Sequence, residues 1–227
     1  MIFTLNVDGY SREITDLTYP LLKFYAKKIG ADFYVISERR FPNWPVTYEK
    51  LQIFELGKIA QNDWNIFLDS DTLVHPETID FTNYIPMDTV AHNGYDFANI
   101  RWRYDEYFRR DGRNIGSCNW AAFASSWCLD LWRPLDDLTF EEALENIYPT
   151  RNELNTVVTR EHLIDDYTLS RNIARFGLKF KTLRDIEEKL DLKDAFFFYH
   201  QYTLTLREKV EDMKKVIESW KIPTTLR

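Results

Sequence analysis

An α/β fold built on a parallel sheet is predicted by three features of the sequence. β-rich runs alternate with helical ones, apolar residues in the helical runs recur three or four apart, and glycine or proline separates the runs. Alternating strands and helices imply right-handed crossovers and parallel strands. The 227 residues, 44% hydrophobic and 29% charged, suffice for one domain with its own core.

Residues 2–7 form the first predicted strand, closed by the turn signal Asp8-Gly9. Ser11 is placed to cap a helix that carries Ile14, Leu17, Leu21, Tyr25 and Ile29 and stops at Gly30; Pro20 implies a kink or a later start. A second strand follows at 32–37. Beyond Pro42 and Pro45, Thr47 is placed to cap a helix reaching residue 61, and 65–68 reads as a third, buried strand. In the middle of the chain, 97–104 and 121–125 are read as strands, and 127–132 and 140–147 as short helices. A helix at 160–176 offers Leu163, Tyr167, Ile173 and Phe176 to one face and ends at Gly177. Strands at 178–183 and 196–202 and an amphipathic helix at 206–220 complete the reading. Ligands of such sheets sit beyond the carboxyl ends of the strands, which puts residues 6–10, Ser37 and 69–71 on one rim.

Composition narrows the function. A net charge of −7 argues against stable nucleic-acid binding, which needs clustered cations to neutralise phosphates. The local exception is Arg101, Arg103, Arg109, Arg110 and Arg113. It is interleaved with Tyr104, Asp105, Glu106, Tyr107 and Asp111, so it reads as an ion-paired segment, with an acceptor or diphosphate contact as the sharper reading. Cys118 and Cys128 do not have zinc-ligand spacing and are expected as reduced, buried thiols. No run of about 18 apolar residues occurs, so no membrane span is expected, and the reading is a soluble, cytoplasmic protein. Aromatic residues make up 16% of the chain and are expected mainly in the core, with some lining a cleft.

Chemistry concentrates at Asp69-Ser70-Asp71, directly after the apolar run Ile66-Phe67-Leu68. Two carboxylates at a buried strand end are costly without a cation. Alternate residues of an extended strand lie roughly 7 Å apart on one face, within reach of a single Mg2+ or Mn2+ ion if the chain bends. Asp-x-Asp alone also occurs in turns and caps. His200, beside Phe196-Phe197-Phe198-Tyr199, is either a neutral imidazole ligand or a core histidine.

The order Thr4-Leu5-Asn6-Val7-Asp8-Gly9-Tyr10, Tyr48-Glu49-Lys50-Leu51, Leu68-Asp69-Ser70-Asp71-Thr72-Leu73-Val74 and Tyr199-His200-Gln201 resembles the GT-A-type glycosyltransferases. The likeness is greatest to the retaining glycogenin-like and yeast-type galactosyl- and mannosyltransferase groups. It implies a single GT-A-type, Rossmann-like α/β domain with a mixed, mostly parallel central sheet flanked by helices. Its nucleotide-binding half would span about 1–75 and its acceptor-binding half about 76–205, followed by the helix at 206–220. The implied activity is transfer of a hexosyl group from a UDP- or GDP-sugar to an acceptor hydroxyl, with retention. The acceptor would be a glycan, a lipid-linked sugar or a protein.

Carried over residue by residue, the resemblance gives Asp69, Asp71 and His200 as ligands of Mn2+ or Mg2+. Asn6, Asp8, Tyr10, Lys50, Asp69 and Ser70 would hold the nucleotide-sugar, with Tyr10 stacking on the base and Lys50 meeting a phosphate or the nucleoside. Asp165 or Asp166 would be the catalytic carboxylate: a general base in an inverting enzyme, or a contact to the donor sugar or its anomeric charge in a retaining one. The sequence departs from the pattern at Asn119-Trp120-Ala121-Ala122, which lacks the family's glycine, and at Ile164-Asp165-Asp166-Tyr167, a loose match to its second acidic element.

Two alternatives share the same letters. In a haloacid-dehalogenase-type phosphatase, Asp69 would be the nucleophile, Asp71 the acid/base, and Mg2+ would lie between them. That family places the motif on its first strand and needs a later lysine, yet none occurs between Lys58 and Lys179. A non-catalytic nucleotide-sugar or glycan binder would not need Asp69, Asp71 and His200 together.

Overall fold

The computed structural model describes residues 1–93, 105–113, 118–148, 150–151, 157–192, 196–201 and 204–222. The strand expected at 97–104 falls outside these residues, as do Arg101 and Arg103.

In chain order the elements are β1 (Ile2–Leu5), α1 (Arg12–Lys28), β2 (Phe33–Ile36), a 3-10 segment (Val46–Gln52) running into α2 (Ile53–Ala60), β3 (Trp64–Leu68), β4 (Leu73–Val74) and β5 (Thr89–Asn93). They continue with α3 (Glu106–Asp111), β6 (Cys118–Ser125), a 3-10 segment (Ser126–Trp132), α4 (Phe140–Glu145), β7 (Thr150–Arg151) and β8 (Val157–Val158). The last are α5 (Ile164–Phe176), β9 (Lys179–Thr182), α6 (Leu183–Lys189), β10 (Phe198–Tyr199) and α7 (Leu206–Ser219).

Six strands form the central sheet in the order β2-β1-β3-β6-β5-β9. The β1–β2, β1–β3 and β5–β9 pairs are parallel, whereas β6 runs antiparallel to both of its neighbours. The sheet is therefore mixed and mostly parallel, with helices on both faces. Period-two alternation sorts the strand residues between those faces. Phe3, Phe67, Val90, Ala122 and Ala124 pack into the layer of α2 and α5. Ile2, Ile66, Ala91, Ala121 and Phe123 pack toward α1 and α6. A third cluster joins Ile14 and Leu21 of α1 to Val210, Met213 and Ile217 of α7, which holds the last helix against the first.

Several local expectations change. α1 runs unbroken through Pro20. The ring deprives the Asp16 carbonyl of its helical partner, but Asp16 is on the exposed side, where water can replace it. Ser11 is the N-cap residue of α1, although its side chain makes no capping bond. Thr47 caps nothing: the segment begins one residue earlier, behind Pro45, and Thr47 sits inside it. The strand expected at 178–183 gives way at Leu183 because Thr182 and Asp185 form a reciprocal capping box that starts α6. α3, α6 and the central strand β5 were not anticipated; β5 is short, carries Thr89, His92 and Asn93, and lacks the apolar run expected of a buried strand.

His92 of β5 is buried and stacks on Phe180, with ring centroids 5.6 Å apart. Burial lowers its pKa to about 4, against weaker opposing effects of the Asn93 main chain and Asp185. An unfolded imidazole titrates near ~6.5, so between these values the unfolded chain binds a proton that the folded chain refuses. Stability is therefore complete above the higher value and declines as pH falls toward the lower, by about 3 kcal/mol in all. Urea unfolding at pH 7 and pH 4.5 should show that His92→Phe removes about 2 kcal/mol of the acid-induced loss. An unchanged loss would assign it to other groups.

Candidate functional site

The Asp69-Ser70-Asp71 segment does not continue β3. A turn closed by the Thr72 amide donating to the Asp69 carbonyl (3.0 Å) links β3 to β4 and bends the chain, bringing the two carboxylates together. The turn is braced from behind: Thr18 Oγ1 donates to the Ser70 carbonyl (2.5 Å), and the Ser70 hydroxyl donates to the Leu5 carbonyl. Ser70, expected to meet the nucleotide-sugar, thus directs its hydroxyl into the protein.

His200 arrives by strand pairing. Tyr199 lies opposite Leu73 and Phe198 opposite Val74, so one further residue brings His200 level with Thr72 and next to Asp71. Its Nε2 is 3.3 Å from Asp71 Oδ1 and 3.7 Å from Asp69 Oδ2. One ligand atom from each of Asp69, Asp71 and His200 falls within 4.8 Å of the others, a set that could hold a metal ion. Two carboxylates and an imidazole suit Mn2+ or Mg2+ with further positions left for water or phosphate oxygens.

Two lysines flank the carboxylates. Lys50, only 2% exposed, reaches Asp165 Oδ2 at 2.6 Å and Asp69 Oδ1 at 3.7 Å from the 3-10 segment, with its ammonium 4.5 Å from the centre of the Phe67 ring. Burial acts to lower its pKa, but Asp165 and Asp69 outweigh that and raise it. Lys209, on the first turn of α7, pairs with Asp71 Oδ2, which also accepts from the Tyr10 hydroxyl (3.2 Å). Burial acts to raise the Asp71 pKa, yet His200 and Lys209 hold it well below the usual carboxylate range. At Asp69 burial prevails over Lys50, and the pKa rises. The pair is thus electrostatically unequal.

The remaining expected residues line the same rim. Asp8 and Gly9 both have positive φ, which forms the turn after β1. Asp8 is exposed, and its Oδ2 lies 3.8 Å from Arg39. Arg39 is held by fully buried Glu49, which also accepts from the amides of Arg40 and Phe41 and from Gln52, fixing the loop after β2. Asn6 Oδ1 is buried without a hydrogen-bond partner, and the Tyr19 hydroxyl lies close to the Asn6 and Ser70 side chains. Tyr10, expected to stack on a base, directs its hydroxyl to Asp71. Of the acidic pair on α5, Asp165 is buried against Lys50, while Asp166 is half-buried on the same first turn.

Of the described part of the basic cluster, Arg110 and Arg113 are tied into the fold, and Arg109 is exposed on α3. Arg113 makes a two-pronged ion pair with Asp111 and donates to the Leu178 carbonyl, and Arg110 donates to the Arg175 carbonyl. Cys128 is a buried free thiol, as expected. Among the described residues no helix is long and apolar enough to cross a membrane.

Sequence reasoning missed Lys209 and Trp120. A signal for Lys209 existed: it lies four residues before Met213 on the apolar stripe of α7, an unusual place for a cation. Trp120 enters the sequence reading only within Asn119-Trp120-Ala121-Ala122, with no role of its own.

Neither a protein-family model nor a curated protein matches the sequence. Among solved structures, one similar to this chain is the crystal structure of a glycosyltransferase involved in the glycosylation of the major capsid of PBCV-1. It aligns over 94% of this chain and 98% of its own with a TM-score of 0.52, at 16% identity. The two chains share a fold. At such identity the likeness concerns architecture alone. A mutant Drosophila β-1,4-galactosyltransferase 7, in complex with manganese, UDP-Gal and xylobiose, aligns over 92% of this chain and 79% of its own. Its TM-score is 0.42 at 13% identity, too distant to bear on the chemistry here. Asp69 follows the third strand of the chain, whereas the phosphatase alternative requires its acidic motif on the first.

Proposed function

We propose that this chain is a metal-dependent glycosyltransferase that moves a hexosyl group from a UDP- or GDP-sugar to the hydroxyl of a glycan, lipid-linked sugar or protein. The observation that carries this reading is the convergence of Asp69, Asp71 and His200 beyond the carboxyl end of β3, on a glycosyltransferase fold. Asp69, Asp71 and His200 would hold Mn2+ or Mg2+, which when bound offsets charge developing on the departing diphosphate.

The segment of about 1–75 would hold the nucleotide and that of about 76–205 the acceptor. Asn6, with its unpartnered buried oxygen, is suited to accept from a base or ribose, because leaving such an acceptor unmet costs about 1–3 kcal/mol. Asp8 and Tyr10 follow it on the same loop. Ser70 shapes the turn from within. Lys50 draws Asp165 toward Asp69, so the second acidic element meets the donor through Asp165 rather than Asp166. A carboxylate already engaged by an ammonium is a poor general base, which favours retention, with Asp165 set to stabilise positive charge at the anomeric carbon.

A thermal-shift panel of nucleoside diphosphates and their sugars with Mn2+ tests the reading. A matching ligand at about a hundred times its dissociation constant should add about 2.7 kcal/mol of stability, and Asp71→Ala should abolish the gain. Stabilisation by no member of the panel, or stabilisation that survives Asp71→Ala, would refute the proposal. Slow metal-dependent hydrolysis of the stabilising donor would distinguish a transferase from a binder.

A further inference from the structure

Trp120 touches two of the three proposed metal ligands by two different means. Its carbonyl accepts the Asp69 amide (2.9 Å), continuing the β3–β6 ladder one step past the pairing of Leu68 with Ala121. Its indole stacks on the His200 imidazole, with centroids 5.2 Å apart and planes within 10°. Phe198 meets the indole edge-on at 6.1 Å, two residues before His200, which fixes the indole in turn. A histidine binds a cation through a lone pair in the plane of its ring, so ring orientation decides whether Nε2 aims at the ion. Here the stacked plane aims Nε2 between Asp71 Oδ1 and Asp69 Oδ2.

We propose that Trp120 is a positioning residue for the metal site, its main chain setting the turn that carries Asp69 and its ring locking His200 in the ligating orientation. The inference rests on the metal-binding reading given above. Outer residues that orient ligands commonly change metal affinity 10- to 100-fold when removed, because the ligand must otherwise be ordered on binding. The main-chain contact survives any substitution, so mutagenesis isolates the ring.

The test is Mn2+ titration of the full chain, with free Mn2+ followed by electron paramagnetic resonance. Trp120→Leu should weaken binding about tenfold or more, and Trp120→Phe, which keeps a planar ring, should restore most of the affinity. In a His200→Ala background Trp120→Leu should have no further effect. Ile186→Ala, which trims a buried residue of the same layer on α6, should lower the thermal midpoint and leave Mn2+ affinity unchanged. In the wild type, Mn2+ should quench tryptophan emission with the dissociation constant found by resonance, and Trp120→Phe should lose that component; this holds even if Trp120→Leu does not fold. The proposal is overturned if Trp120→Leu binds within threefold of wild type, if its effect persists without His200, or if the quenching is the same in Trp120→Phe. Mn2+ binding that is lost in Asp71→Ala but indifferent to Trp120 would overturn this inference alone. No Mn2+ binding by the wild type would overturn both this and the metal-dependent function.

Discussion

Replacing Lys209 by Met should destabilise the metal-free protein by about 3 kcal/mol, a fall in thermal midpoint of roughly 10 °C for a chain of this size. Lys209 is 7% exposed and pairs with the buried carboxylate of Asp71. Removing one partner of such a pair leaves the other charge buried in a medium that solvates it poorly. Tyr10 and His200 still face Asp71, which keeps the loss below that of a wholly orphaned ion. Mn2+ should then rescue the variant. At about a hundred times its dissociation constant the ion contributes about 2.7 kcal/mol, nearly restoring the wild-type midpoint. The wild type should gain less, because there the ion meets a carboxylate already neutralised by an ammonium. Equal midpoints of variant and wild type without metal would show that the Lys209–Asp71 pair contributes nothing to stability.

Lys50→Met should cost more, about 4 kcal/mol, because Lys50 serves two carboxylates at once and Asp165 is nearly as buried as the lysine itself. Much of that loss is the stranding of Asp165. Adding Asp165→Asn in the Lys50→Met background should therefore recover about 2 kcal/mol, measured by urea unfolding at pH 7. Simple additivity of the two substitutions would mean that the 2.6 Å contact carries no coupling energy.

The parts of the molecule that could be read from the sequence are those governed by local rules. β1, β2 and β3 announce themselves as apolar runs between turn signals, and α5 by its apolar spacing and the left-handed Gly177 at its end. Asp69 and Asp71 stood out because carboxylates directly after a buried strand demand a counter-charge. What was missed depends on partners distant in sequence. Nothing within β5 reveals that it lies between β6 and β9, since its polar residues are hidden by neighbours rather than by its own pattern. The 3-10 geometry around Lys50 follows from packing on Phe67 and Asp165 rather than from helix propensity. The antiparallel course of β6, which brings Trp120 to the rim, is likewise a property of the assembled sheet.

The span of chain closed by the Lys209–Asp71 contact, 138 residues, bears on how the protein acquires its chemistry during synthesis. Contacts between distant residues form late, because the entropy of closing a long loop must be met before they return any energy. On a ribosome, β1 to β3 can pair while most of the chain is still unmade, but Asp71 waits for His200 and then Lys209. Mn2+ capture would therefore report completion of folding rather than its onset, and a nascent chain stalled before α7 would carry Asp71 without its ammonium partner, while Asp69 already has Lys50.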